Sequence, residues 1–600
     1  MVVLTYFAFA SAALALFLGP GFLWLRRAGI DPVIALYCGP GLVALAGATT
    51  VALGVLLPWS VRISCIGGLV AIVLSAVACA VSMRGSVLPP RSELGGVVAF
   101  VLAFVVLAAM AAPPTDPYGD WHDFTVGPHR VDTPRWPGLP ADNTLPFRTG
   151  QVSLYKQGGN AIRGGYSPGW WLSDRTPLTG LDFAFFAGAL GVHVSSQNLE
   201  AMSVRQVPMS FKDPFGFWSY QLVAMMLNIA IVLGVYLLAR VWLGRREATV
   251  AALVAAVLPG LFLNALYTWP KEAIGYFVLI GVACALRRRA VLAGAFAALA
   301  YLVHPAGVVW VLPLALVLLR ARASGVGRRV TLTRFLAPAA ALVAPWAYFT
   351  SSVMHATSRW TTAPLGYVMT DPTKFSQQLS VAWRLFRQHG VMYAIWVRAQ
   401  STAGSLYPLD LGRAAAPNRH HEFASDIWAI FAAVHGFSLW GMLGLVLFPF
   451  AIVVLSRRWV DFRDLTLWLV IPAVVIAELA NGEAYPFANQ SMFPLVGLLA
   501  IIVGVGLLEA ARRTRITLLT VAAIELALLA YGALYRPYGI AVRTIVALTA
   551  VALLSQAALF VLLARALDLR PPTAARLRSR KAGSAQSAPA AVPSHPAARG

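Results

Sequence analysis

Long apolar runs, repeated along almost the whole chain, constrain the fold more than any other feature. A helix needs roughly 20 apolar residues to cross a bilayer, and runs near this length recur throughout the sequence. Only 12% of the residues are charged, against about 25% in an average soluble domain. We therefore predict an all-α polytopic integral membrane protein with about 13–15 transmembrane helices. The candidate spans are 3–25, 33–57, 63–83, 95–112, 218–239, 248–268, 273–286, 290–303, 306–319, 336–350, 436–456, 465–480, 492–509, 516–533 and 541–564. The pair of spans around His304 could also form one re-entrant hairpin.

The arginine clusters predict a direction for these spans. Short cytoplasmic loops are enriched in Lys and Arg, and the clusters fall on alternate sides of consecutive spans. They include Arg26–Arg27, Arg245–Arg246, Arg287–Arg289, Arg457–Arg458 and Arg512–Arg513. This pattern predicts a plasma-membrane protein with its N-terminus outside and its C-terminus in the cytoplasm. The net charge of +23 is mostly this topological signal, so we expect membrane lipids and no nucleic acid as partners.

The loop lengths divide the chain into three parts. Residues 1–94 form N-terminal transmembrane helices, 95–564 form the transmembrane core, and 565–600 form a basic cytoplasmic tail that we expect to be disordered. Two long outer loops, 113–217 and 351–435, interrupt the core. Loops of this length are usually functional or disordered, and their many aromatic residues favour folded structure at the membrane surface. We therefore expect the functional site on the extracytoplasmic face.

An acidic motif opens the first outer loop. It contains Asp120, His122 and Asp123, shortly after Asp116–Pro117, which is a plausible helix start. On a helix, Asp116, Asp120 and Asp123 would share one face. Grouped carboxylates suit a general base or a divalent cation such as Mg²⁺ or Mn²⁺. Capping and solvation of a loop is the simpler interpretation of the same residues.

Two cationic positions lie on the same predicted face. Arg175, beside Asp174, is either half of a surface ion pair or a fork for a phosphate group, because guanidinium geometry matches phosphate. Lys271 begins a span after Trp269–Pro270 and opposes the positive-inside bias. We therefore expect a binding partner to stabilise it at this position. Either Glu272 pairs with it, or a lipid-linked phosphate binds it.

Polar residues at two further outer turns are candidates for substrate binding. Glu483, Asn489 and Gln490 lie in a polar turn that could line a sugar pocket or could be an ordinary connection. His304 ends a span on the same face. It is either a substrate contact or a satisfied interfacial residue.

These motifs resemble the GT-C superfamily of membrane glycosyltransferases, especially its large actinobacterial members. Gly119–Asp123 looks like the acidic motif of the first extracytoplasmic loop in that superfamily. Trp269–Lys271 looks like a recurrent motif at the end of a span, and Asp174–Leu178 is similar to an Asp-Arg-Pro-Leu pattern. The chain departs from the pattern in having three spans, within residues 1–94, before the span that leads into the acidic loop, and in the form of the motif, Asp-Trp-His-Asp.

The resemblance implies an inverting transfer of a hexosyl or pentosyl group from a polyprenyl-phosphate donor to a cell-envelope glycan or lipid acceptor. Asp120 would be the base, and Asp123 an alternative base or metal ligand. Lys271 and Arg175 would stabilise the departing phosphate. A transporter or flippase of a lipid-linked glycan and a non-catalytic membrane scaffold are the alternatives.

Overall fold

The protein is an all-α polytopic membrane protein. The computed structural model describes residues 2–83, 89–111, 145–156, 176–194, 214–266, 270–321, 326–348, 443–480, 492–534 and 542–569, together with single positions between 387 and 399. In these ranges all of the regular secondary structure is helical.

Twenty α-helices form the described part of the chain. They are α1 (Val2–Arg27), α2 (Pro32–Leu56), α3 (Val61–Ser82), α4 (Gly95–Met110), α5 (Leu145–Tyr155), α6 (Leu178–Ala189), α7 (Pro214–Ile229), α8 (Ile231–Trp242), α9 (Arg245–Ala256), α10 (Pro259–Leu266), α11 (Lys271–Leu286), α12 (Ala290–Val303), α13 (Val311–Ala321), α14 (Arg328–Tyr348), α15 (Gly444–Arg457), α16 (Trp459–Leu465), α17 (Ile471–Ala480), α18 (Phe493–Glu509), α19 (Arg512–Leu534) and α20 (Val542–Ala566). Short 3-10 turns, Arg91–Glu93 and Pro305–Trp310, precede α4 and α13, and a π-helical turn, Thr466–Val470, joins α16 to α17.

Each of the fifteen predicted spans coincides with helix in the structure. Six described helices are long and apolar enough to cross a membrane unaided, and a seventh span is possible if α9 and α10, which meet at 57°, form one broken span. The longest of the six runs continuously from Gly216 to Trp242 through α7 and α8 and is fully buried within the protein. Several other predicted spans correspond to apolar helices of only 10–17 residues.

The arginine-rich turns gather at one end of the helix bundle. Ion pairs and hydrogen bonds join Arg246 to Asp568, Arg320 to Asp464, Arg458 to Glu509 and Arg515 to the Leu567 carbonyl. This end, called the basic end below, is the one that the charge pattern predicts to be cytoplasmic. The direction of the bundle relative to the cell stays a prediction.

A buried ion pair holds the basic end of the core together. The Arg240 guanidinium donates hydrogen bonds to both oxygens of Glu93 over 3.0 Å, and the Tyr236 hydroxyl donates to the same carboxylate over 3.1 Å. The Tyr37 hydroxyl donates to the backbone carbonyl of Glu93 over 2.6 Å. Glu93 therefore connects α2, the start of α4 and α8 at one point.

Helices α11 and α12 run antiparallel. Helix α11 begins inside the bundle, and α12 ends inside it. The Phe277 and Phe296 rings lie 6.2 Å apart, and a Cβ atom at Gly281 would lie 3.7 Å from the Ala293 carbonyl oxygen. At about 1.5 Å per residue, α11 rises about 24 Å and α12 about 21 Å. Both are shorter than the bilayer core of about 30 Å.

The chain reverses at His304, which follows α12. The two arms of this hairpin meet again at the basic end, where the Arg288 side chain donates a hydrogen bond to the Ala321 carbonyl over 2.8 Å. Leu314 of the returning arm lies 3.3 Å from the position of a Cβ atom at Gly281 of α11. His304, at the tip of the hairpin, is buried, and the re-entrant alternative stays a prediction.

Two helices inside the first long loop belong to the helical core. We predicted folded structure at the membrane surface for 113–217, but α5 and α6 pack together and against α2, α3 and α7. The Phe147, Phe183 and Tyr220 rings form one aromatic cluster, with centroid distances of 5.4–5.7 Å. The α6 run of 12 residues is too short to be recognised as a span from hydropathy, which is why this contribution was not predicted.

Candidate functional site

The first turn of α11 is capped by a side chain from another helix. Pro270 precedes α11 and provides no side-chain cap. Instead, the Asn228 side-chain oxygen on α7 accepts a hydrogen bond from the Ala273 N–H over 3.3 Å. The first N–H groups of a helix lack partners within the helix, so this contact satisfies one of them. Asn228 is fully buried in the middle of the longest apolar span.

Lys271 and Glu272 occupy the first two positions of α11 and are both buried. Lys271 is 1% exposed and Glu272 is 0% exposed. In the described part of the structure neither Glu272 carboxylate oxygen has a hydrogen-bond partner, and no ion pair joins the two residues. Glu272 therefore accepts no hydrogen bond from Lys271 in this structure, and the role of Lys271 stays a prediction.

Asn228 keeps an unsatisfied donor beside the same turn. Its Nδ2 atom has no hydrogen-bond partner among the described residues. We call Asn228, Lys271, Glu272 and the Ala273 N–H the α11 polar cluster. Its donors are the side-chain amide of Asn228, the ammonium group of Lys271 and the positive end of the α11 dipole.

His304 lies at the same depth as the α11 polar cluster. Distances along the helix axes can be counted from the Phe277–Phe296 contact at about 1.5 Å per residue. Lys271 lies about 9 Å and His304 about 12 Å from that contact, in the same direction because the two helices are antiparallel. His304 Nδ1 accepts a hydrogen bond from the Ala306 N–H over 3.2 Å. This cap places the proton of the neutral ring on Nε2. The residue is 2% exposed, so it is a buried cap at the hairpin tip.

The α11 polar cluster lies at membrane depth. Asn228 is 14 residues from Trp242 along one span, about 21 Å from the basic end at about 1.5 Å per residue, within a bilayer core of about 30 Å. Irregular backbone at this depth occurs only where protein buries it or where it lines a cavity. Starts of interrupted helices at this depth are typical binding sites for anionic groups.

The two segments that carry most of the other candidate residues meet the core close to this cluster. A Cβ atom at Gly96 of α4 would lie 2.6 Å from the Tyr236 Cβ. From that contact, α4 continues about 21 Å to Met110, whereas Asn228 lies only about 12 Å along its own helix. Met110, the last residue of α4, therefore lies about 9 Å beyond Asn228 along the bundle axis, away from the basic end, and the acidic motif lies outside the described residues.

The polar turn that precedes α18 also joins the core at this depth. The Phe493 carbonyl oxygen lies 3.5 Å from the position of a Cβ atom at Gly275, in the second turn of α11. The segment 481–491, with its three candidate residues, ends immediately before Met492, which is buried.

Of the candidate residues, Lys271 and His304 lie among the described residues, at a similar depth in the bundle. The others lie outside the described residues: Asp120, His122, Asp123, Asp174, Arg175, Glu483, Asn489 and Gln490. Their positions stay predictions.

Sequence reasoning missed two buried polar residues of the core. Asn228 is a polar residue in the middle of an apolar span, a position that often marks function. Asp182 is a carboxylate in the apolar run of α6, 1% exposed, with both oxygens lacking a partner in the described ranges. An Asn or Asp within an otherwise apolar run was the available signal for both.

The α11 polar cluster can bind an anion. The start of α11 combines a positive helix end, the Asn228 amide donor and the Lys271 ammonium group, which favour a phosphate or a carboxylate, whereas the buried Glu272 carboxylate beside them opposes an anion. The described residues contain no group of three or more His, Cys, Asp or Glu side chains placed to hold a metal ion.

Comparison with known proteins found one distant structural neighbour. No protein-family model matches the sequence, and no curated protein matches it. Among solved structures, the chain is similar to the archaeal oligosaccharyltransferase AglB from Archaeoglobus fulgidus, solved in complex with an inhibitory peptide and a dolichol-phosphate. The identity is 12% and the TM-score 0.33, over 79% of this chain and 56% of the other. At this level of similarity, the evidence on function is the site itself.

Proposed function

We propose that this protein is a membrane glycosyltransferase that moves a sugar from a polyprenyl-phosphate donor to a cell-envelope glycan or lipid acceptor. The observation that carries the proposal is the α11 polar cluster. It gathers anion-binding groups in the core of the helix bundle, within the depth of the bilayer. Helix α4, which precedes the acidic motif in sequence, ends beyond this depth, and Phe493, which follows the polar turn, contacts the second turn of α11.

In the proposed reaction, Asp120 accepts the proton of an acceptor hydroxyl. The hydroxyl oxygen then forms a bond to the anomeric carbon, and the bond from that carbon to the phosphate oxygen breaks, with inversion. A positioned base contributes typically 10²–10⁴-fold. The leaving polyprenyl phosphate takes the bonding electrons, and Lys271, Asn228 and Arg175 stabilise its charge.

A divalent cation, Mg²⁺ or Mn²⁺, would be held by Asp120 and Asp123 and would neutralise part of the phosphate charge. The extracytoplasmic position of this chemistry rests on the charge pattern of the loops. Nucleotide sugars are absent there, which favours a lipid-linked donor.

Replacement of the acidic residues tests the proposal. Asp120→Asn and Asp123→Asn keep the side-chain shape but remove the carboxylate. In purified, folded protein with a lipid-linked sugar donor, we expect Asp120→Asn to lower the transfer rate at least 100-fold. If both variants transfer sugar at the wild-type rate, the assignment of the base is wrong.

A transporter of lipid-linked glycans is the second candidate. The observation in its favour is the break between α9 and α10, which meet at 57°, because broken helices near mid-membrane are common in transporters. A vesicle assay in which the intact lipid-linked sugar changes leaflet while no sugar is transferred would favour the transporter over the enzyme.

A further inference from the structure

Helix α6 carries a second group of buried polar side chains, of a different chemistry from the α11 polar cluster. Thr179 and Asp182 are each 1% exposed. The Thr179 hydroxyl and both Asp182 oxygens lack hydrogen-bond partners among the described residues. The buried Thr176 hydroxyl, just before α6, lacks a partner as well, whereas the Ser153 hydroxyl on α5 donates to the Thr149 carbonyl over 2.7 Å.

These side chains share one face of α6 with an aromatic ring. Thr179, Asp182 and Phe186 follow the spacing i, i+3, i+7, which places them in one line along a helix. Phe186 is 2% exposed. We call these three residues the α6 face.

Packing contacts show which neighbours occupy the other sides of α6. Phe183 faces α5 and α7, with its ring 5.4 Å from Phe147 and 5.7 Å from Tyr220. Phe185 faces α2, where its ring lies 2.8 Å from the position of a Cβ atom at Gly47. At 100° per residue, the α6 face lies between the side packed on α7 and the side packed on α2.

The same two helices, α2 and α7, also contact α11. The Tyr276 hydroxyl of α11 accepts a hydrogen bond from the Gly41 N–H of α2 over 3.1 Å, and Asn228 of α7 caps the first turn of α11. Tyr220, which packs on α6, precedes Asn228 by two helical turns, about 12 Å. The α6 face is therefore directed to the region that lies beyond the α11 polar cluster, away from the basic end.

The chemistry of the α6 face fits a ligand that carries several hydroxyl groups. Two carboxylate oxygens can accept hydrogen bonds from two neighbouring hydroxyls, and such charge-assisted bonds are about twice as strong as neutral ones. An aromatic ring beside them offers a surface for the apolar face of a sugar ring. A buried carboxylate without a partner is costly, and a hydroxyl-rich ligand would offset that cost.

We propose that Thr179, Asp182 and Phe186 form a sugar-binding subsite, in which Asp182 accepts hydrogen bonds from hydroxyl groups of the donor sugar while the donor phosphate lies at the α11 polar cluster. This inference rests on the proposed function, and it assigns the two ends of a glycosyl phosphate to two groups of residues with complementary chemistry.

Lipid binding by the purified full chain in nanodiscs tests the subsite. The probes are farnesyl phosphate and farnesyl phosphate carrying mannose, glucose, galactose or arabinose. We expect the wild-type protein to bind at least one sugar-bearing probe about tenfold or more tightly than farnesyl phosphate, because the α6 face adds hydrogen bonds to charged groups. Asp182→Asn should remove this preference and leave the affinity for farnesyl phosphate unchanged. Thr179→Val should reduce the preference in the same direction by a smaller factor.

Thr331→Val is the matched control for Thr179→Val. Its hydroxyl is also buried, but it donates to the Gly327 carbonyl of its own helix, so the change should leave both affinities at their wild-type values. The proposal is overturned if the wild type prefers none of the sugar-bearing probes, or if Asp182→Asn keeps the preference. It is also overturned if Asp182→Asn weakens both kinds of probe equally, together with a lower melting temperature, because that result assigns Asp182 a structural role.

The two proposals can fail separately. If an Asp182-dependent preference for a sugar persists while the wild-type protein transfers no sugar, the subsite stands and the transferase proposal fails. If sugar is transferred and the Asp182→Asn variant keeps the wild-type preference, the subsite alone fails.

Discussion

The Asn228 side-chain oxygen accepts a hydrogen bond from the Ala273 N–H, 3.3 Å away. One helix thereby caps another in the middle of the bundle, and the same side chain directs an amide donor at the start of α11. The contact explains how a 16-residue helix can begin at membrane depth, since a buried backbone donor without a partner is costly. Asn228 thus has two roles in this account. Its oxygen accepts from the backbone and its amide donates to a ligand, and substitutions can distinguish the two.

Asn228→Asp should weaken phosphate binding while keeping the cap. The carboxylate still accepts from Ala273, but the amide donor is lost and a negative charge is introduced. Hydrogen bonds to charged groups contribute about 1.5–3 kcal/mol, so we expect the affinity for farnesyl phosphate to fall by roughly 10- to 100-fold. Isothermal titration of the protein in nanodiscs measures this change.

Gln556→Glu is the control for that experiment. It makes the same amide-to-carboxylate change at another buried side chain, on α20, whose Nε2 donates to the Leu526 carbonyl. Its affinity for farnesyl phosphate should equal that of the wild type. An Asn228→Asp protein that binds as tightly as this control would contradict an anion site at α11.

Lys271→Met should slow transfer, because it removes the ammonium group and keeps an unbranched side chain of similar length. Loss of one group that stabilises developing charge typically lowers the rate about 10²–10³-fold. Lys271→Arg retains the charge and should recover part of the rate. Steady-state transfer assays compare these variants with Lys156→Met, a lysine that donates to the Leu57 carbonyl at the end of α2. Equal rates for Lys271→Met and Lys156→Met would remove Lys271 from the site.

Glu272→Gln should raise the melting temperature. The Glu272 carboxylate is fully buried without a hydrogen-bond partner in the described structure, and such an unsatisfied group costs about 1–3 kcal/mol or more when charged. A neutral amide of the same shape lowers that cost. Thermal unfolding in detergent checks the direction, and a melting temperature several degrees below the wild-type value would show that the carboxylate stabilises the fold.

Much of the fold was predictable from the sequence, because each apolar run corresponds to helix and because the arginine clusters meet at one end. The depth at which α11 begins and α12 ends was not predictable. It depends on register between helices distant in sequence, such as the Phe277–Phe296 contact, and hydropathy contains no information about register. For the same reason Lys271 was predicted at the outer surface, whereas it is buried at the start of α11, about 24 Å from the basic end by helical rise.

The candidate site was predictable only in part. Lys271 was selected because a lysine at that end of a span opposes the charge pattern, and the structure buries it among anion-binding groups. Asn228 and Asp182 were missed, since a single amide or carboxylate in an apolar run is also compatible with simple packing. Only the contact with Ala273 and the neighbours of α6 distinguish these possibilities.

The Glu93–Arg240 pair should make stability depend on pH in acid. Burial alone raises the pKa of the Glu93 carboxyl, but hydrogen bonds from Arg240 and Tyr236 outweigh it, so the pKa lies below its ordinary value. A carboxyl with a lowered folded-state pKa stabilises the fold above its unfolded-state pKa of about 4.3. That stabilisation is lost as the pH falls through the lower folded-state pKa. The wild type should therefore lose melting temperature in this acid window, and Glu93→Gln should lose less.

Arg240→Gln tests the same pair at neutral pH. It leaves the buried Glu93 carboxylate without its ionic partner, and because the Arg240 side chain is 32% exposed, we expect the loss of an unsatisfied polar group, about 1–3 kcal/mol. Asp568→Asn is the comparison, because it breaks an exposed pair with Arg246, where little stability is expected to be lost. Equal melting temperatures for the two variants would contradict the anchoring role of Glu93.

The most direct test of the account measures both products of the reaction. The purified protein in vesicles would receive farnesyl-phosphate donors that carry mannose, glucose, galactose or arabinose, with a cell-envelope fraction as acceptor. The account predicts that, with one of these donors, farnesyl phosphate is released in a one-to-one ratio with sugar transferred, and that Lys271→Met and Asp120→Asn lower both together. Movement of the intact donor between leaflets, with no farnesyl phosphate released, would contradict it.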